Sequence, residues 1–463
     1  MNYAETIRFL YDLRWFGTKL GLENTRKLAQ LAGNPQEKLR FIHVAGTNGK
    51  GSTCAMLESI YRAAGLRVGL FTSPHLVSFR ERIQVNRQLI SESEVVRLVE
   101  EMRPSLKQFP ADEHPTFFEA LAVMALRYFA EQKCELVIWE TGLGGRLDAT
   151  NIVTPLASVL TNVQLDHQQW LGNTIAKIAA EKAGIIKPGV PVVTAADEPA
   201  ALNVIAGISR EKNAPLLKVG RASSLSLNSF RRLSNPGGQT ESSETGKMPV
   251  PPLLGEHQRI NAALAVATVE TLQNKIPVNA AVIRAGLETV QWPGRLQLIT
   301  KSSGQKILLD GAHNVAGAQT LVAALQQYFP NTKPALVLGI LQDKDWQRMC
   351  EVLSPLAARI LLVPVQSERT AVPHDLAEIC HRTNPAVRLT EHASLGDALR
   401  DSANDSFVAV TGSLYLVGEA LELLDPTKKC DDERGLNEWG KPHQTPENST
   451  KLRHSTRPKD KQA

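Results

Sequence analysis

Short apolar, β-rich runs alternate with helical patterns along most of this chain. That alternation leaves few architectures open beyond a mostly parallel sheet with helices on both faces. In the first half the predicted strands cover residues 39–44 (LRFIHV), 67–72 (RVGLFT), 135–139, 156–162 and 190–194. Predicted helices cover 50–64, 92–102, 116–131 and 174–186, and the third is apolar on most sides. A helix at 260–273 leads to Trp292-Pro293-Gly294, read as a hinge, after which a second alternating series begins. Its strands are predicted at 306–309, 335–338, 359–363, 387–390 and 407–411. A length of 463 residues suits two or three domains. The expected division is a larger α/β domain at 1–294, a smaller one at 295–426 and a polar tail at 427–463, expected to be disordered. Residues 221–252, rich in Ser, Gly and Pro, read as a loop or a small β excursion.

Apolar residues make up 43% and charged residues 21%, enough to bury real cores. The net charge is +5, and residues 427–463 supply +3 of it with nine basic against six acidic side chains. The body is therefore close to neutral and carries no basic stripe, so nucleic-acid binding is not expected. Five cysteines without a CxxC pair suit neither a disulfide scaffold nor a zinc site, and fit a reducing compartment. No apolar run approaches the ~18 residues of a membrane span, and residues 1–17 lack the apolar core of a signal peptide. A cytoplasmic monomer without membrane contact is expected.

The sharpest local signal is Gly46-Thr47-Asn48-Gly49-Lys50-Gly51-Ser52, between a predicted strand and a predicted helix. Glycines let several N–H groups face one anion, the helix start adds positive potential, and Lys50 brings a full charge for outer phosphates. The spacing departs from the common P-loop, since Gly51 stands between Lys50 and Ser52. Ser73, Glu140 and His167 each follow a predicted strand, at the sheet edge where ligands of open α/β folds gather. A hydroxyl, a carboxylate and an imidazole there suit Mg²⁺ shared with nucleotide phosphates. Each also has a plain reading, as turn residue, strand-end carboxylate or satisfied polar group.

Lys182 continues the apolar stripe Ile175, Ile178, Ala179 of its helix, while Lys177 and Glu181 are spaced as an i,i+4 pair on another face. Burial would favour a neutral amine at Lys182, although a snorkelling lysine fits the pattern equally well. Asp310-Gly311-Ala312-His313-Asn314 again follows a predicted strand; Asp310 reads either as a site residue or as a helix cap. Arg295, directly after the hinge, reads as a phosphate clamp or as an exposed linker residue.

An ordered series of segments then carries a resemblance over nearly the whole chain up to about Leu424. It runs HVAGTNGKGS (43–52), FTSPHL (71–76), ETGLGGRLDATN (140–151), LDHQQWLG (165–172) and EKAGIIKPG (181–189). GEHQRINA (255–262), WPGR (292–295), DGAHN (310–314) and TGSLYLVGE (411–419) complete it. With these the chain resembles the folylpolyglutamate synthase/dihydrofolate synthase family of the Mur ligase superfamily. The resemblance implies a central P-loop ATPase domain with a mostly parallel sheet, plus a smaller C-terminal α/β Rossmann-like domain. It implies an ATP-dependent amide ligase: ATP phosphorylates a carboxylate of a pterin-bearing substrate, and the amino group of L-glutamate attacks the acyl phosphate.

Carried across by motif, Thr47, Asn48, Gly49, Lys50, Gly51 and Ser52 would hold the ATP phosphates. Asn261, Arg295 and Asp310 would contact the nucleotide. Ser73, Glu140 and His167 would serve two Mg²⁺ sites, with K⁺ as a further possible cation. Lys182 would be a carbamylated lysine helping to bind the second metal, and His313 would lie near the incoming glutamate. Lys50, Lys182 and His313 are thus the expected catalytic residues. Thr116, Phe117, Phe118 and Glu119, with Leu147, Asp148 and Ala149, would hold the pterin, and residues 21–24 would close over it. Val315 stands where the family usually has Pro, and neither residues 221–252 nor the tail is well matched.

Some members add the first glutamate to dihydropteroate and further ones to reduced folates; others only extend. TFFE at 116–119 and the LDA after Arg146 resemble the bifunctional kind. A folylpolyglutamate synthase alone, a peptidoglycan-precursor Mur ligase and a nucleotide-binding regulatory module are the alternatives. The LGGRLDATN segment argues against the Mur ligase, and Lys50, Glu140, His167 and Lys182 together argue against the regulator.

Overall fold

The computed structural model describes residues 1–13, 21–220, 251–428 and 433. The first sheet has eight strands: β1 (Phe41–Ala45), β2 (Val68–Phe71), β3 (Ile83–Val85), β4 (Gln88–Leu89), β5 (Leu136–Glu140), β6 (Ala157–Leu160), β7 (Val192–Thr194) and β8 (Leu216–Lys218). Their order is β4-β3-β2-β5-β1-β6-β7-β8, with only the β3 and β4 edge antiparallel. Both side-chain parities of the central strands are apolar, so both faces are covered. Phe41, Phe71, Val137 and Trp139 pack on the helices Phe117–Glu131 and Glu92–Leu106. Ile42, Val44, Leu70 and Ile138 pack on Lys50–Ala63 and Glu256–Thr271.

The second sheet comprises β9 (Gln297–Thr300), β10 (Lys306–Leu309), β11 (Ala335–Leu338), β12 (Arg359–Leu362), β13 (Arg388–Glu391) and β14 (Phe407–Thr411). Its order is β13-β12-β11-β14-β10-β9, parallel except for β9. The mixed α/β class with two mostly parallel sheets is as expected. The antiparallel edges and the short β8 are additions that two- to four-residue, partly exposed strands did not announce.

Register fixes the functional edge. Val44 pairs with Glu140, Ala45 with Leu160 and Phe71 with Trp139, so the carboxyl ends of β1, β2, β5 and β6 lie side by side. The loop after β2 leaves this edge and enters the other half of the molecule. Val77 belongs to the core of the second sheet with Leu309, Val337 and Leu416, and Leu76 packs beside it. A Cβ added at Gly294 would lie 3.0 Å from both Leu76 and Val417. Within the loop, the Glu81 carboxylate accepts the N–H groups of Leu76 (2.7 Å), Val77 (2.9 Å) and Ser78 (2.9 Å).

Residues 221–250 lie outside the described residues, and so does most of the expected tail. Glu433 is described, however, and at 4% exposure it is buried, so at that residue the expectation of a free tail is corrected. Among the described residues no helix is long and apolar enough to cross a membrane.

Candidate active site

The phosphate-loop segment turns between β1 and the helix Lys50–Ala63, at whose start Gly49 holds a left-handed φ of 85°. No larger residue fits: a Cβ there would meet Asn261 Oδ1 at 2.5 Å, and one at Gly46 (φ 151°) would meet Thr161 Oγ1 at 1.8 Å. The loop is pinned by Thr47 N–H to the Asn162 carbonyl (2.8 Å), Asn48 N–H to Asn162 Oδ1 (2.8 Å) and Thr161 Oγ1–H to the Asn48 carbonyl (2.7 Å). Trp292 closes over Gly51, where a Cβ would meet its ring at 2.7 Å.

Two lysines converge on this loop. Lys50 Nζ donates to the carbonyls of Gly46 and Thr47, both at 3.2 Å. Lys182 Nζ donates to the same Gly46 carbonyl at 2.8 Å and is 5% exposed. Thr174 caps the helix Ile175–Ala183, and Ile178, Ala179, Lys182 and Ala183 are its buried positions, so the snorkelling alternative is ruled out. Burial, and then the charge of Lys50, lower the Lys182 pKa to about 7. The spacing of Lys177 and Glu181 does not become a pair; Glu181 instead binds Arg146 at 2.9 Å.

Glu140 ends β5, is 3% exposed, and accepts the Ser73 N–H at 3.2 Å. Burial pushes its carboxyl up to about 7, against the opposing charges of Lys50, Arg295 and Arg82. His167 holds a left-handed φ of 50° before the short helix Gln168–Leu171. Burial and nearby Lys344 lower it to about 3, so its imidazole is neutral.

The second sheet supplies the far wall. Asn314 caps the helix Val315–Tyr328 through Gly317 N–H (2.8 Å), so the cap is Asn314 and not Asp310. Its amide also donates to Asn48 Oδ1 (3.1 Å) and to Asp166 Oδ2 (3.0 Å), linking phosphate loop and second domain directly. Lys344 Nζ reaches Asp166 Oδ1 at 2.8 Å, with both side chains under a tenth exposed. Burial would raise the Asp166 carboxyl, but the Lys344 ammonium bonded to it holds it well below the usual carboxylate range. His313 Nδ1 bonds the Gly311 carbonyl at 2.8 Å, and a carbonyl only accepts, so Nδ1 carries the proton and Nε2 the lone pair. Nε2 lies 3.8 Å from Asp166, and burial lowers the imidazole to about 4. Asp310 accepts Leu296 N–H (2.9 Å) and Ala312 N–H (3.0 Å), while Arg295 donates to the Gly311 carbonyl at 3.3 Å.

Asp166, Lys344 and Asn314 escaped the sequence reading as functional residues. Asp166 and Asn314 stood inside quoted motifs, but Lys344, in LQDKDW, belongs to none of them.

Of the expected pterin residues, Phe118 packs on Gly142, where a Cβ would meet its ring at 2.4 Å, two residues past Glu140. Phe117 stacks near Phe79 (6.3 Å) and under Arg82 (5.5 Å). Thr116 and Glu119 form a capping box, and Glu119 also accepts from Thr25 at 3.2 Å. Asp148 accepts Leu143 N–H (2.7 Å) and Thr150 N–H (3.0 Å), with Ala149 buried and Leu147 half-buried beside it. Residues 21–24 open the helix Glu23–Leu31, which Thr25 ties to Glu119. Glu119→Ala should lower the unfolding free energy by about 1–3 kcal/mol through the lost cap and the unpaired Thr25. Urea denaturation checks this, and an unchanged midpoint would contradict it.

Comparison with known proteins follows this geometry. The Mur ligase middle domain matches residues 44–269, and the Mur ligase glutamate ligase domain matches residues 294–414. The chain is 37% identical over 426 residues to the dihydrofolate synthase/folylpolyglutamate synthase of Bacillus subtilis, covering 90% of this chain and 98% of that one. It is similar to the crystal structure of folylpolyglutamate synthase from Thermotoga maritima, with a TM-score of 0.78, 34% identity, and coverage of 93% and 98%. It is also similar to Escherichia coli FolC in complex with DHPP and ADP, with a TM-score of 0.77, 30% identity, and coverage of 93% and 99%.

Proposed function

The chain belongs to the folylpolyglutamate synthase/dihydrofolate synthase family, and on that premise we propose that it adds L-glutamate both to dihydropteroate and to reduced folates. It is an ATP-dependent ligase. The observation that carries the reading is the delivery of His313 and Asn314 from the second domain to the phosphate loop and Asp166. A ligase of this kind must make an acyl phosphate on one wall and present an amine from the other, and this cleft has both walls. We infer the division 1–294 and 295–426 for these halves. One chain supplies both, which supports action as a monomer, and the need for ATP supports a cytoplasmic location.

In this reading Thr47 to Ser52 hold the ATP phosphates, and Lys50 offsets the charge of the transferring phosphoryl group. Asn261 buttresses Gly49, and Arg295, held by the Gly311 carbonyl, would face the nucleotide. The donors fit Mg²⁺. Among the described residues no group of three His, Cys, Asp or Glu is placed to hold a metal ion by itself, so the donors come as small sets. Such sets suit a hard cation that takes its other oxygens from phosphate and water. Ser73 and Glu140 would hold one ion, and neutral His167 with Lys182 a second. The ions would supply charge neutralisation at the phosphates. Lys182 fits this role only as a carbamate, since an ammonium repels a cation; a K⁺ ion is a further expected ligand of the family. The acceptor carboxylate attacks the γ-phosphorus and ADP leaves. The glutamate amine then attacks the acyl carbon, phosphate departs with the bonding pair, and His313 Nε2 takes the surplus amine proton. Phe118 lies against Gly142, and in this reading it would hold the pterin together with Thr116, Phe117, Glu119 and residues 147–149.

ADP release with glutamate, measured with dihydropteroate and with tetrahydrofolate, tests the proposal. Turnover with both is expected. Turnover with tetrahydrofolate alone would reduce the activity to chain extension, and turnover only with a UDP-muramoyl acceptor would overturn the reading.

A further inference from the structure

We propose that Glu433 is a positioning residue for the ligase reaction, locking from outside the segment that carries Ser73. The proposal rests on the reading of Ser73 and Glu140 as the metal-facing edge of the nucleotide site. Its basis is a set of contacts between Glu433 and residues 75–82, far away in sequence.

Glu433 is 4% exposed, though it lies past the last helix of the second domain, Leu414–Leu424. Burying a carboxylate is costly unless its oxygens are satisfied. Here one oxygen accepts the Ser78 hydroxyl at 3.0 Å and the Phe79 N–H. The Tyr3 phenol faces the same carboxylate. The Glu433 carbonyl takes a third bond, from His75 Nε2 at 3.0 Å. Arg82 Nε donates to His75 Nδ1 at 2.8 Å, so Nδ1 is the acceptor and Nε2 carries the proton given to Glu433. His75 and Arg82 are 2% and 3% exposed, so this relay is dry.

Residues 75–82 are therefore gripped twice, by Glu81 from within and by Glu433 from without. Ser73 stands two residues before His75 and meets Glu140 through its N–H. Loosening the outer grip frees the stretch that aims Ser73 while leaving both sheets and the phosphate loop in place. Residues that hold a ligand from behind commonly change affinity or activity by 10- to 100-fold when removed, roughly the scale expected here.

The test uses the full chain with Glu433→Ala and Glu433→Gln, beside a chain ended after Lys428. Hydrogen exchange without nucleotide should quicken over residues 73–82 in Glu433→Ala and in the shortened chain, with the core strands unchanged. KM for Mg²⁺-ATP should rise by roughly 10-fold. Glu433→Gln keeps a carbonyl acceptor and should fall between the parent and Glu433→Ala. Unchanged exchange at 73–82 would overturn the grip. Faster exchange with unchanged KM, or a drop in melting temperature alone, would reduce Glu433 to a structural cap and overturn the positioning role. Ser73→Ala in the parent chain tests the underlying reading separately: if its Mg²⁺ dependence is normal, the site assignment fails even where Glu433 behaves as expected.

Discussion

Lys182→Ala should leave a folded enzyme whose turnover is lower by at least ~10²–10³, the usual scale for losing one electrostatic contact to the reacting phosphoryl group. The side chain sits on the buried face of its helix, and its ammonium shares the Gly46 carbonyl with Lys50. Burial disfavours the ammonium, and the charge of Lys50 on the same oxygen adds to this, which lowers the Lys182 pKa to about 7 from the 10.5 of a free lysine. About half the amine is then neutral at pH 7, against about 0.03% for an ordinary lysine. The neutral nitrogen can attack CO₂, forming an N–C bond and releasing one proton to solvent, and the product is an anion. Carbamylation would thus turn repulsion from Lys50 into attraction and would supply oxygens for a metal. Activation by bicarbonate should rise as pH climbs through about 7, because the reactive form is the deprotonated one. Lys182→Arg should not rescue, since guanidinium keeps its charge. A short-chain carboxylic acid should partly restore Lys182→Ala by filling the same space and charge. A ¹³C-bicarbonate NMR signal at this side chain is the direct observation. Full activity in Lys182→Arg would sink the idea.

Lys50→Ala should cut kcat by about 10²–10³ at saturating ATP and acceptor. Lys50 is the first residue of its helix, and its ammonium lies over the Gly46 and Thr47 carbonyls, where outer phosphates would arrive. The loop itself is held by Asn162 and Thr161 and by the room left at Gly46 and Gly49, none of which depends on the lysine. Circular dichroism should therefore show a native fold while turnover collapses. Near-normal turnover in the purified variant would remove the loop from the phosphate site.

What the sequence made legible were features written in local pattern. The central strands were visible because both their faces are apolar, and Lys182 because it interrupts a stripe of Ile178 and Ala179. Thr116 and Glu119, read from the sequence only as part of the pterin site, form a capping box in the structure. Edge strands such as Gln88–Leu89 are too short to show a period. The sequence offered Asp310 as the cap of the following helix, and geometry gives that part to Asn314 instead. The Asp166–Lys344 pair spans 178 positions and two domains, so no window along the chain contains it. Glu433 escaped for a related reason: a polar stretch says nothing about one carboxylate finding a dry place to bind.

The loop after β2 belongs to two cores at once, with Ser73 beside Glu140 at one end and Val77 sunk among Leu309, Val337 and Leu416 at the other. It therefore works as a crank. Swinging the second sheet about Trp292–Gly294 must drag Val77, and with it the approach of Ser73 to Glu140. If Ser73 and Glu140 hold the nucleotide's ion, cation affinity and cleft angle would become one thermodynamic variable: whatever draws the halves together would tighten the ion, and the ion would draw the halves together by the same factor. Glutamate, arriving at the far wall, would in this way strengthen the grip on ATP without touching it.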